Sequence, residues 1–177
     1  MKEVVKDPGN NRDQIIIDLV NYYQGMLLRM CYVYLRDQEL AKDAVQETFL
    51  KAYRSLDTFS GESSVKTWLI QIAINTCKSI KRSAWWRYID RQVVPEDIPQ
   101  TVMMTQEEDV DVMCDIMQLP SKLKEVIMLY YWQEMNLNEI AEALVVSQST
   151  VSRRLNHARN RLHDVLDRRC YDGRSQR

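Results

Sequence analysis

Two stretches of this 177-residue chain carry residue types whose spacing suits nucleic acid. From Val146 to Asn160 every charged side chain is positive: Arg153, Arg154 and Arg159, accompanied by Ser149, Thr150, Ser152, Asn156 and His157. Arg and Asn side chains match the hydrogen-bonding edges of guanine and adenine in a major groove. Between Glu62 and Asp90 there is again no acidic residue. Lys66, Lys78, Lys81, Arg82 and Arg87 alternate there with Trp68, Trp85, Trp86 and Tyr88. Cations that track a backbone, mixed with aromatic faces that stack on bases, fit an unpaired strand better than an intact duplex. A plainer reading stands beside each. An arginine-bearing helix is commonly a solvated face, and a tryptophan at helical spacing commonly belongs to a core.

Other chemistries lack their residues. The only glycines are Gly9, Gly25, Gly61 and Gly173, too scattered to form a phosphate-cradling loop. His157 and His163 both fall within the arginine-bearing segment, so no Ser/His/Asp or Cys/His arrangement has a site of its own. Cys31, Cys77, Cys114 and Cys170 form no CxxC pair, which removes zinc-knuckle and thiol-redox motifs. No catalytic residue, metal or cofactor is therefore expected. Cys31 and Cys77 sit among apolar helical positions and read as small core residues, and Cys170 as an exposed one.

The elements that must position these residues are all helical in period. Ile15, Leu19, Tyr23, Met26, Leu27 and Met30 mark a long first helix ending near Arg36. Asp37 caps a second, whose apolar stripe runs Leu40, Ala41, Ala44, Val45, Thr48, Phe49, Ala52, Tyr53 and Leu56. After a loop at Ser60–Ser64, a third helix turns Trp68, Leu69, Ile72, Ala73, Thr76 and Ile80 inward. Pro95 and Pro99 then interrupt a polar, acidic stretch that reads as an extended linker, with Val102, Met103 and Met104 its only apolar cluster. A helix begins near Glu107, and Pro120 opens another that runs to Trp132. Asn136 and Glu139 have capping-box spacing before the stripe Leu137, Ile140, Ala141 and Leu144. A three-residue turn and a Ser147 cap then lead into a helix expected to bury Val151, Leu155, Ala158, Leu162 and Val165. The expected architecture is all-α: two small helical domains joined by a flexible acidic linker, the second a helix-turn-helix. The boundaries fall at 1–90, 91–108 and 109–170, with a tail at 171–177.

The net charge of -1 conceals this division. Residues 1–82 carry +2, residues 83–118 carry −6 and residues 119–177 carry +3. The two domains that would meet phosphate are mildly basic, and the acid is concentrated between them. Met1–Asn11 is polar and no apolar run approaches the ~20 residues that span a bilayer, so a cytoplasmic location without membrane insertion is expected.

Four ordered motifs sharpen the reading. Asp43-Ala-Val-Gln-Glu-Thr-Phe-Leu-Lys-Ala-Tyr53, Thr67-Trp-Leu-Ile-Gln-Ile-Ala-Ile-Asn-Thr-Cys77, Leu119-Pro120, and Ser149-Thr-Val-Ser-Arg-Arg-Leu155 with Ala158-Arg159 together resemble an extracytoplasmic-function (ECF) sigma factor of bacterial RNA polymerase. The similarity covers nearly the whole chain outside the linker and both ends. The resemblance implies that Asp43, Gln46 and Glu47, supported by Phe49, dock on a coiled coil of core RNA polymerase. It implies a −10 site in which Asn75 reads a flipped base, Trp68 shapes the wall and Ser60–Lys66, including Ser63, form the pocket loop, with Lys78, Lys81 and Arg82 on phosphates. It implies −35 readout by Arg153, Asn156 and His157, with Thr150, Arg154 and Arg159 nearer the phosphates and Ser149 and Ser152 beside them. The linker would thread the polymerase channel. The implied partners are core RNA polymerase, promoter DNA both duplex and melted, and an anti-sigma factor, commonly membrane-anchored. One departure stands out: members usually carry Gly where this chain has Val145, a β-branched residue that is costly at positive φ. Two other readings compete. One is a stand-alone helix-turn-helix regulator with an N-terminal sensing or dimerisation bundle, and the other is an interaction protein that never reads DNA.

Overall fold

The computed structural model describes the backbone of residues 12–82 and 107–174, and side chains within 12–82 and 112–165. The acidic linker, Trp85, Trp86, Arg87, Tyr88, the Val102–Met104 cluster and Cys170 lie outside the described side chains. Among the described residues every regular element is a helix.

Helix α1, Arg12–Leu35, buries Ile15, Leu19, Tyr23, Leu27 and Met30 at intervals of three and four, as an amphipathic helix must. From Cys31 to Leu35 the stripe gives way to burial on every side. The helix ends where Arg36 enters the left-handed region at φ 57 and Asp37 takes over as N-cap, accepting from the Leu40 amide at 2.7 Å. Helix α2, Gln38–Ser55, buries Ala41, Ala44, Val45, Thr48, Phe49 and Ala52. Tyr53 departs from the expected stripe. It is exposed, under the Arg12 guanidinium, and its hydroxyl donates to Asp13 at 3.0 Å. A 3-10 turn at Leu56–Thr58 and a loop through Gly61, whose φ of 73 suits a residue without a side chain, lead to α3, Val65–Arg82. Helices α1, α2 and α3 pack pairwise into the N-terminal domain.

Helix α4, Glu107–Gln118, precedes α5, Ser121–Ile127, which Pro120 opens as expected. Helix α5 continues into one π-helical turn, Met128–Trp132, closed by the Gln133 amide on the Met128 carbonyl at 3.2 Å. The wider turn leaves Tyr131 exposed while Met128 and Leu129 stay buried. Helix α6, Leu137–Leu144, begins with the full capping box: Asn136 accepts from the amides of Asn138 and Glu139, and Glu139 accepts from the Asn136 amide. Helix α7, Gln148–Arg174, buries Val151, Leu155 and Ala158 and packs on α4, α5 and α6, while, against expectation, Leu162 is only partly buried and Val165 is exposed.

The turn between α6 and α7 is not remodelled to spare Val145. That residue adopts φ 54, ψ 53 in the left-handed region, with its amide donating back to Glu142 and its side chain 73% exposed. A β-branched residue bears a strain of about 1–2 kcal/mol there, which glycine avoids.

The domains lie against one another, a feature with no counterpart in the sequence pattern. Helix α3 meets α6. The Tyr34 hydroxyl donates to Glu125, Arg36 donates to the Met117 carbonyl, Lys66 donates to the Gln133 carbonyl at 2.5 Å, and Lys78 pairs with Glu125 at 3.4 Å. These contacts explain why the last turn of α1 is buried all round.

Candidate nucleic-acid interface

The recognition surface is built from the solvent side of α7. Ser149, Arg153, Asn156, His157 and Asn160 recur at three- and four-residue intervals and are all exposed. The opposite side is locked by Val151, Leu155 and Ala158, so the reading face cannot rotate without uncovering core. Ser147 fixes the helix start: its hydroxyl accepts from the Thr150 amide at 3.3 Å and meets the hydroxyls of Ser149 and Thr150 at 3.0 and 2.9 Å. Thr150, Ser152 and Arg154 are half-buried at the flanks. Arg159 points elsewhere. It donates to the Tyr131 hydroxyl at 2.9 Å and lies over the Tyr130 and Tyr131 rings, and that hydrogen bond raises its pKa further. The π-helical turn supplies both tyrosines, so Arg159 is held about 120° round the helix from Arg153.

Helix α3 divides the second group of expected contacts between two faces. Trp68, Ile72, Asn75, Ser79 and Arg82 share one face, on which Asn75, Ser79 and Arg82 are exposed. Trp68 is held by Phe59 with ring centroids 4.8 Å apart, so it is part wall and part core. The preceding loop is fixed by Ser64, whose hydroxyl accepts from the Thr67 amide at 3.0 Å, with Ser63 half-buried beside it. Lys66, Lys78 and Lys81 have protein partners in this arrangement. Lys66 reaches Gln133, Lys78 pairs with Glu125, and Lys81 sits 4.7 Å from the Tyr34 ring centroid. The structure thus gathers Trp68, Asn75 and Arg82 on one face, while Lys66 of the pocket loop and the expected phosphate ligands Lys78 and Lys81 are engaged by protein groups. The inward face also differs from expectation: Ile70, Ile74 and Cys77 are fully buried, whereas Trp68, Ile72 and Ile80 are only partly so. Cys31 and Cys77 are core residues, and the Cys31 thiol, hydrogen-bonded to Cys77 and desolvated, is pushed well above its ordinary range.

A third surface lies on α2. Asp43 and Gln46 are exposed, Glu47 pairs with Lys51 at 3.4 Å, and Phe49 is buried beneath them. Two large side chains absent from the expected set complete this face: Leu50, 50% exposed, and Tyr53, 38% exposed. Gln46, Leu50 and Tyr53 follow one another at four- and three-residue spacing, and that was the available signal. Apolar side chains left in water beside acids fit a protein partner better than DNA, whose backbone repels carboxylates.

Where the domains meet, charge is concentrated out of water. Glu125 and Lys124 are each 3% exposed. Burial, reinforced by the like charges of Arg36 and Lys81, holds the Lys124 ammonium down to about 7, and burial also lowers Lys81. Burial and the neighbouring Glu125 carboxylate push the Tyr34 hydroxyl far up. Among the described residues no cluster of His, Cys, Asp or Glu has the makings of a metal site, and no helix is long and apolar enough to cross a membrane.

The two-domain layout coincides with two family models: Sigma-70 region 2 matches residues 19–87, and Sigma-70, region 4 matches residues 116–176. The RNA polymerase sigma-H factor of Pseudomonas aeruginosa is 32% identical over 84% of this chain and 84% of its own length. The chain belongs to the ECF sigma factors of the sigma-70 family. The ECF RNA polymerase sigma factor SigW of Bacillus subtilis is 28% identical over 94% of this sigma factor and 96% of its own chain. A solved structure of the sigma factor RpoE in complex with the anti-sigma factor NepR from Bartonella quintana has the same fold, with a TM-score of 0.70, 23% identity and coverage of 88% and 98%. As a sigma factor the chain directs promoter-specific initiation of transcription by RNA polymerase, and it is a specificity subunit without a catalytic site of its own. The stand-alone regulator and the pure interaction protein give way to this reading.

Proposed function

We propose that this sigma factor divides promoter recognition between its two domains as follows. Residues 109–170 read the −35 duplex through Arg153, Asn156 and His157, with Ser149, Thr150, Ser152 and Arg154 at the edges of the groove and Arg159, further round the helix, nearer the flanking phosphates. Residues 1–90 melt the −10 element. Asn75 takes a flipped base beside Trp68 and the Ser60–Lys66 loop, and Lys78, Lys81 and Arg82 hold the displaced backbone. Unstacking a base costs a few kcal/mol, so a pocket that accepts only the right base converts melting into selection. Residues 91–108 tether the halves, which raises the effective concentration of each site once the other is engaged. Core RNA polymerase docks on Asp43, Gln46 and Glu47, with Phe49 beneath. A cytoplasmic location follows from that partner. An anti-sigma factor covering these faces is the expected negative regulator; the solved sigma factor to which the fold is similar is in complex with an anti-sigma factor.

The observation that carries this reading is the exposed Arg153, Asn156 and His157 face on a helix whose opposite side is fixed by core burial. In vitro transcription on genomic fragments with purified core enzyme tests it directly. Initiation at a limited set of promoters is expected, with permanganate-reactive thymines in the melted segment that disappear in Asn75→Ala while polymerase binding persists. Unaltered melting in that variant overturns the pocket assignment.

A further inference from the structure

A groove of about 440 Å³ opens between α4, the end of α5 with its π-helical turn, and α7. Its walls are apolar: Val112 and Ile116 from α4, Ile127, Tyr131 and Trp132 from the α5 end, and Leu162 from α7. Ile116 and Ile127 belong to the core, whereas Val112 and Tyr131 are exposed and Trp132 and Leu162 half-buried. Apolar walls left in water around a hollow of this size are the make-up of a small-molecule site, for which about 300–1,000 Å³ is typical. Charge in the groove has one sign. No lining side chain is acidic, and Arg159 and His163, four residues apart on α7, lie on the same flank. The acids Asp115 and Asp164 line a different hollow, of about 380 Å³, which shares Leu162 with this one and also holds Arg161. Arg159 is already oriented: its Nε donates to the Tyr131 hydroxyl at 2.9 Å, and its guanidinium lies 5.2 and 5.6 Å from the Tyr130 and Tyr131 ring centroids. A guanidinium has five N–H donors, and the two tyrosine hydroxyls take two at most, so donors remain for an anion. Holding the side chain in place beforehand removes much of the ordering cost of binding.

We propose that this groove is a binding site for a small amphiphilic carboxylate, whose hydrocarbon body lies along Val112, Trp132 and Leu162 and whose carboxylate is held by Arg159. A planar carboxylate matches the fork of a guanidinium through two parallel hydrogen bonds. An uncharged hydrocarbon would leave the cation unused, and a free phosphate would leave the apolar walls in water. The site is separate from the base-reading face, because Arg159 stands about 120° round α7 from Arg153.

The test titrates the full chain by isothermal calorimetry with sodium octanoate, kept below the concentration at which it forms micelles, and with 1-octanol as the uncharged control. One octanoate per chain is expected. Binding of 1-octanol, and of octanoate to Arg159→Gln, should each be weaker by at least about tenfold, as loss of a charge-assisted contact requires. Val112→Glu sets a like charge in the groove at an exposed position and is expected to weaken octanoate by at least about tenfold, with an unchanged circular dichroism spectrum showing that the fold stands. Arg161→Gln removes the same charge from the neighbouring hollow and is expected to bind as the unaltered chain does. Absence of saturable binding overturns the proposal. Equal affinity for octanoate and 1-octanol, or undiminished binding by Arg159→Gln, means adsorption to apolar surface only and overturns it too. A loss in Arg161→Gln equal to that in Arg159→Gln overturns it as a general charge effect. Sedimentation supplies the last outcome: a monomer–dimer equilibrium that Val112→Glu abolishes would give the groove to a second copy of the chain and overturn the ligand assignment.

Discussion

Lys124→Met is the sharpest perturbation of the buried charge cluster. Lys124 is 3% exposed, donates to the Met117 carbonyl, and faces Arg36 from α1 and Lys81 from α3, with Glu125 and Lys78 also in the cluster. Its pKa falls from 10.5 to about 7, chiefly through burial. The unfolded chain therefore binds a proton between about pH 7 and 10.5 that the folded chain does not, and stability rises with pH across that window. As pH falls from 10.5 the penalty accumulates, and near pH 7 it is almost complete. At about 1.4 kcal/mol per unit it approaches about 5 kcal/mol as an upper bound. Relaxation and water penetration reduce such figures, and Met117 keeps its hydrogen bond from Arg36, so a gain of about 1–3 kcal/mol is expected for Lys124→Met at pH 7. Urea unfolding of both proteins at pH 7, 8 and 9 measures it. The variant should be the more stable at pH 7, and the gap should narrow as pH rises. A gap that does not change with pH, or a variant less stable throughout, refutes the argument.

Val145→Gly relieves the left-handed strain in the helix-turn-helix turn while giving up little burial. The gain, net of glycine's unfolded-state entropy, should be about 0.5–1 kcal/mol, read as a higher thermal midpoint; a lower midpoint would contradict the strain assignment. Leu50→Glu should weaken binding to core RNA polymerase at least about tenfold without moving the thermal midpoint, because the side chain is half exposed; undiminished binding in a pull-down would remove Leu50 from that surface. Arg153→Ala with Asn156→Ala should lower transcription from −35-dependent promoters by about a hundredfold, at about 1–3 kcal/mol per base contact, and spare initiation on a pre-melted template. An equal loss on both templates would assign these residues to something other than duplex reading.

Much of the architecture was legible before any coordinates because it depends on local physics. The Asp37 cap, the Asn136–Glu139 capping box and the Ser147 start are interactions among residues three apart, so the chain carries them wherever it goes. The stripe Val151, Leu155 and Ala158 likewise predetermined which side of α7 faces water. Residues at the margin of a stripe were less readable. Tyr53 has the spacing of a core residue, yet Arg12 and Asp13, forty residues away in sequence, hold it at the surface. The surroundings of Arg159 were equally hidden, because a π-helical turn unmarked by sequence pattern brings Tyr131 under it.

The sequence by itself determined the helices, their caps, the two cationic segments and the family, since short-range hydrogen bonding and apolar period are written in neighbouring residues. The tertiary structure alone decided that Glu125 meets Lys78 and Tyr34, that Lys66 reaches the second domain, and that Lys81 lies over the Tyr34 ring. Glu125 is separated from Tyr34 by 91 positions. No periodicity reports such a pairing, because the burial that makes it matter exists only after both domains have folded and closed on one another.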